Sequence, residues 1–163
     1  MTSTLQGLRP LLVEVQALVH TTSFPTPRRM AVGCDANRLV LLIAVLERFG
    51  GISLADKDVF VNVVGGLTLR EPAADLAVSA ALISALADRP LPSHAIFFGE
   101  VGLLGEVRPV SRVDARLREA AHLGYTEAVA PPIERPVEVD ELEIRSMADL
   151  TDLLAYVSGR SAV

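Results

Sequence analysis

The chain has 163 residues, a formal net charge of −5 and a single cysteine. That length suffices for one well-buried core, and one cysteine excludes an internal disulfide or a cysteine-rich zinc site. Net acidity argues against a protein wrapped in nucleic acid through its overall field, while leaving room for a local arginine patch. Half of the residues are apolar and the mean hydropathy is +0.40, yet the longest uncharged apolar runs, 39–46 and 76–87, fall short of the roughly 20 residues that span a bilayer. The opening MTSTLQGLRP has neither a basic nor an apolar signal region. A cytoplasmic protein with no membrane partner is expected.

In chain order, residues 8–18 alternate loosely and predict a strand. TTSFPTP at 21–27 is a turn-rich loop, followed by Arg28, Arg29 and a short strand over 30–33. Asp35 is a plausible N-cap for a helix through Phe49, stopped by Gly50 and Gly51. The apolar run at its centre predicts burial on more than one side. A strand over 58–64 leads to Gly65-Gly66, and Pro72 stands at the first turn of a second, alanine-rich helix that ends near Asp88. A strand over 94–99, a hairpin over 101–110 and a helix over 111–123 ended by Gly124 come next. A strand over 127–130 stops at Pro131-Pro132, an acidic edge strand is expected over 137–144, and Ser146 is the expected cap of a last helix over 147–157. Strands interleaved with helices and no evident linker predict one α+β (mixed α/β) domain over 1–163, its core about 8–157.

Few residues suggest chemistry. Lys57 is the only lysine among fifteen basic residues. It lies between Asp56 and Asp58, which favour its ammonium form, so it reads as a solvated loop charge. Ser79 and Ser84 read as helix-core serines bonded one turn back, and Ser111 as a cap. His20, His94 and His122 lack metal-ligand spacing. Cys34 with His20 is a conceivable nucleophilic pair, outweighed by a small buried apolar role for Cys34. The carboxylates from Glu134 to Glu143 read as a solvated face. Gly99, Gly102 and Gly105 form no phosphate loop. Arg108, Arg112 and Arg116 bracket a helix start, with Arg112 and Arg116 four residues apart on one face, and Arg28 and Arg29 share a loop. Such guanidinium groups suit phosphate oxygens. Pairing with acids such as Asp114 and Glu119 explains them equally well.

Three separated segments resemble one family in its own order: PRRMAVGCDANRLVLLIAVLERFGG (27–51), VNVVGGLTLREPAADLAVSAALISAL (61–86) and GEVGLLGEVRPVSRVDARLREAAHLGY (99–125). They look like the carboxy-terminal, Lon-protease-like domain of the bacterial RadA (Sms) DNA repair family. The resemblance covers roughly residues 8–132 and implies a Lon-protease-like fold of the ribosomal protein S5 domain 2-like type. It maps the peptidase nucleophile onto Ala73 and its lysine partner onto Asp114, so both dyad positions are changed and no catalytic residue or peptidase activity is expected. A methyl group cannot form an acyl-enzyme.

The resemblance further implies a zinc finger and a RecA-like ATPase region upstream. Zinc, ATP and magnesium would belong there, and this domain itself would hold no cofactor or metal. Ring-shaped hexamers driving branch migration in recombinational repair are implied, with single-stranded or branched DNA and further copies of the chain as partners. The phosphate-contact candidates are Arg28, Arg29, Arg108, Arg112 and Arg116. Two rivals remain, a purely structural oligomerisation module in which these arginines pair with a neighbouring subunit, and a peptidase with an unrecognised site.

Overall fold

A computed structural model describes residues 1–134, 137 and 139–159 of the chain. Strands β1 (Thr2–Gln6) and β2 (Arg9–Val13) form a hairpin turned at Gly7, whose φ of 63° suits a glycine. β3 (Val15–Thr21), β4 (Arg29–Val32) and β5 (Lys57–Val63) form a three-stranded sheet in the order β3-β5-β4, antiparallel at β3 and parallel at β4. Helix α1 (Ala36–Gly50) lies between β4 and β5, and α2 (Asp75–Ala87) follows β5 through a 3-10 turn at Pro72–Ala74. β6 (Ala95–Phe97) precedes a small hairpin of β7 (Glu100–Val101) and β8 (Val107–Arg108). Then come α3 (Val113–His122), β9 (Glu127–Ala130), β10 (Glu143–Ser146) and α4 (Leu150–Ser158). The larger sheet runs β10-β9-β6-β1-β2. The chain is thus α+β, with mixed sheets and four helices among the described residues.

Alternation along β6 shows how the layers are made. Ala95 and Phe97 pack into a core shared with α1, α2, α4 and the small sheet. Ile96 and Phe98 pack into a second core with Leu117 and Ala120 of α3. A strand covered on both faces is apolar throughout, as this one is. Helix α2 is buried at every residue from Asp75 to Ile83, because it lies among β3, β6, α1 and α4 of the same chain. An all-round apolar helix needs such cover.

Several expectations are corrected. Residues 8–18 are not one strand, because the chain breaks at exposed Glu14 and passes from the large sheet to the small one. β1 escaped the sequence reading because Thr2, Ser3 and Thr4 are polar, yet all three are buried between β6 and β2. Helix α1 is capped by Asp35 as expected, its side chain accepting from Arg38 N at 2.7 Å, and ends at left-handed Gly51. It packs on β4, α2 and α4 and leaves Val40 52% exposed.

The last helix starts three residues later than expected. Asp149, not Ser146, is its N-cap, in a reciprocal capping box with Asp152. The edge strand is 143–146, and Glu138 of the expected acidic strand lies outside the described residues. Lys57 opens β5 rather than sitting in a loop, and its Nζ lies 3.1 Å from Thr21 Oγ1. Among the described residues no helix is long and apolar enough to cross a membrane.

Candidate functional site: the opening of helix α2

Strand β5 ends at Val63, and Gly65 and Gly66 turn the chain with φ of 87° and 70°. The following segment docks on Gly33, where Leu69 N donates to Gly33 O at 2.7 Å. A Cβ on Gly33 would stand 2.6 Å from Leu67 O and Val63 Cβ, so only glycine permits this approach. Pro72 then fixes the first turn. Gly99 holds that turn from the other side, donating to Ala73 O at 2.8 Å and accepting from Leu76 N at 3.1 Å.

Two carboxylates flank the turn, and each is gripped by an arginine from another helix. Glu71 Oε2 accepts from Arg116 Nη2 of α3 at 2.6 Å, and its Oε1 accepts from Leu5 N of β1 at 2.7 Å. Asp75, 3% exposed, accepts from Arg38 Nε of α1 at 3.0 Å, again from Arg38 Nη2, and from Val101 N at 3.1 Å. Burial pushes the Asp75 carboxyl up against the pull of the Arg38 hydrogen bond, and that bond raises Arg38 in turn. The sequence reading singled out neither pair. The signal was the spacing Glu-Pro-Ala-Ala-Asp, which places two acids on either side of a single turn.

Beside the turn is a cleft of about 520 Å³ between α1 and residues 69–78, with Leu42, Leu69 and Val78 among its lining. Ala74 lines it, whereas Ala73 is 1% exposed and does not. Asp114 is exposed on the first turn of α3, away from the cleft lining, where it complements the helix dipole. Cys34 lines the cleft, but burial, and then Asp35, push its thiol up, which disfavours the nucleophilic thiolate. His20 does not join it. Its ring bonds Thr21 O and faces Asp58 and Phe60 on the outer side of the small sheet.

The serines depart from expectation. Ser84 Oγ donates to Arg89 O, five residues ahead rather than a turn back. Ser79 Oγ is buried with no hydrogen-bond partner among the described residues. Ser111 caps nothing with its side chain: Arg112, left-handed at φ 58°, is the N-cap residue, and Ser111 O accepts from Arg116 Nε at 2.9 Å.

The five candidate arginines separate widely. Arg116 is 0% exposed and bonded to Glu71, Ser3 O and Ser111 O, so burial removes it from any phosphate surface. Arg28 is half exposed and anchored to buried Asp58. Arg29 donates to the carbonyls of Lys57 and Leu54. Arg108 is exposed and paired with Glu106. Arg112 is exposed as the residue that opens α3. Asp114 and Glu119, the expected acid partners, hold none of the five among the described bonds.

Fold and site define an α+β chain organised around a helix opening clamped by two acid–arginine pairs, with alanine at its buried centre. No protein-family model matches the chain. It is similar to DNA repair protein RadA of Haemophilus influenzae, 51% identical over 153 residues, which is 93% of this chain and 33% of that protein. RadA of Escherichia coli K12 is 50% identical over 151 residues, 92% of this chain and 33% of its own length. That of Pseudomonas aeruginosa is 48% identical over 156 residues, 93% of this chain and 34% of its own. The chain therefore spans about a third of the length of these relatives, and it is homologous to the carboxy-terminal portion of RadA.

Proposed function

We propose that this chain is a Lon-like domain without peptidase chemistry, acting within a DNA repair protein of the RadA type. It helps copies of the chain assemble, up to a hexamer, and contributes a surface that contacts single-stranded or branched DNA. The observation that carries the silent-peptidase reading is Ala73. The helix opening is tightly built around this residue, and its methyl group offers no attacking oxygen. Asp114, at the position the resemblance gives to the lysine, is an exposed acid and supplies no amine.

In this reading Arg108 and Arg112 are the leading phosphate contacts, with Arg28 and Arg29 on a separate surface. The domain holds no cofactor of its own; zinc, ATP and magnesium belong to the zinc-finger and ATPase regions of the whole protein, in the cytoplasm. Casein incubated with the purified chain should remain uncleaved above a blank, and a labelled oligonucleotide should be retained at low salt. Cleavage of casein contradicts the first half of the reading, and failure to retain the strand contradicts the second.

A purely structural assembly module is favoured by one observation. Leu103 and Leu104 are 65% and 75% exposed at the tip of the β7–β8 hairpin. The tip is held in shape by Glu106, whose Oε2 accepts from Leu104 N at 3.0 Å. Two rigidly presented leucines suit a protein contact. If arginine substitutions disrupt sedimentation as an oligomer while DNA retention is unchanged, this second reading replaces the first.

A further inference from the structure

The outer face of the small sheet carries a row of planar side chains. Cross-strand register places Leu18 opposite Phe60, and Phe60 beside Met30. Leu18, Met30 and Val32 are 57%, 52% and 59% exposed, forming an apolar shelf. On this shelf the Arg28 guanidinium stands 4.6 Å from the Phe24 ring centre and 5.4 Å from that of Phe60. The His20 ring stacks on Phe60 with centroids 6.0 Å apart and planes 17° apart. The row runs Phe24, Arg28, Phe60, His20. Both ends are open to solvent, Phe24 at 54% and the His20 side chain at 46% exposure.

Asp58 fixes the middle of the row. It accepts from Arg28 N at 2.7 Å, Nε at 3.0 Å and Nη2 at 2.6 Å. This grip neutralises Arg28 and immobilises its plane before any ligand arrives. What the row then offers is flat π surface; the next residue, Arg29, alternates to the other face of the sheet, in register with buried Val59, and donates there to the carbonyls of Lys57 and Leu54. Preordered flat groups with open ends suit a planar, repeating ligand that can continue the stack. Nucleobases stack on such platforms whatever their sequence.

We infer that this row binds the bases of a single-stranded nucleic acid, which extend the stack from Phe24 and His20. The inference rests on the DNA-contact reading above and deepens it, because it states which part of the strand is gripped and where. Stacking requires unpaired bases, so the site selects single strands over duplex. It also separates two kinds of contact: phosphates at Arg108 and Arg112, bases at Phe24 and His20.

The test compares, with the whole chain, an oligo-dT strand and an abasic strand of the same length by fluorescence anisotropy, with 2-aminopurine placed in the dT strand as a stacking reporter. The expected result is about tenfold tighter binding of oligo-dT, within the range of one or two stacked bases, and a change in 2-aminopurine emission on binding. Phe24→Ala and His20→Ala each remove most of that preference and leave abasic binding as it was. Both side chains are exposed, and an unchanged circular dichroism spectrum checks the fold. Equal binding of the two strands overturns the inference while leaving the DNA-contact reading intact. Binding of neither strand overturns both. If the two variants keep the preference for oligo-dT but lose self-association, the face is a protein interface and the inference fails.

Discussion

Arg116 and Arg28 each hold a carboxylate at 2.6 Å, in opposite surroundings. Around Arg116 the guanidinium is fully buried, its partner Glu71 is only partly exposed, and the pair ties α3 to β1 and to the turn that opens α2. Around Arg28 the order is reversed, because the carboxylate is buried and the guanidinium is half exposed among aromatic rings. In the first pair the arginine serves the architecture, and removing it strands an acid and two carbonyls. In the second pair the acid serves the arginine, holding a cationic plane in place at the surface. One ion-pair chemistry therefore builds either a cross-brace or a platform, depending on which partner is buried.

The comparison breaks most readily at Arg116. Arg116→Ala should destabilise the chain by about 3 kcal/mol, the order expected when one partner of a buried pair is lost. Arg116→Lys should recover little of this, since a single ammonium cannot reach three separated acceptors as a planar fork does. Both are read from urea unfolding midpoints, and a loss below about 1 kcal/mol for the alanine variant would show that the brace carries no weight.

At the other pair the informative variable is pH. Hydrogen bonds from the Arg28 side chain and backbone hold the Asp58 carboxyl down to about 2, against an ordinary 3.8. A depressed folded value means that the stabilisation is fully present above the ordinary value and is lost as pH falls from about 4 toward 2. Asp58→Asn should flatten that acid limb of the stability curve while leaving the alkaline side unchanged. Arg28→Ala should move the Asp58 titration, followed by NMR of its side-chain carboxyl, back upward.

Smaller effects calibrate the scale. Asp149→Ala should cost about 1 kcal/mol, the usual value for losing an N-cap, whereas Ser146→Ala should change almost nothing. Ser79→Ala should be neutral or slightly stabilising, within about 1 kcal/mol, because it deletes a buried hydroxyl that bonds to nothing described. A clear destabilisation by Ser79→Ala would reveal a partner for that hydroxyl.

Helix ends and strand stops were readable because local residues set them: Asp35 and Gly51 around α1, Pro72 before α2, and Pro131-Pro132 after β9. β1 was hidden because burial of Thr2, Ser3 and Thr4 depends on the distant strand β6, whose Phe97 pairs with Thr2. The same reason explains the arginines. Four-residue spacing suggests one shared face for Arg112 and Arg116, but Arg112 is the left-handed N-cap before α3 and stays exposed, whereas Arg116 is drawn inward by β1 and by the turn before α2. The stack on the small sheet was likewise invisible, because its members come from β3, a loop, the residue before β4, and β5.

The division between braced and presented arginines is tested most directly by the salt dependence of single-stranded DNA affinity for the Arg108→Ala, Arg112→Ala double variant beside the parent chain. Each lost phosphate contact should lower the slope of log affinity against log salt by roughly 0.7, so the double variant should be shallower by about 1.4 while its unfolding midpoint is unchanged. A parent and variant with the same slope and the same affinity would contradict the account.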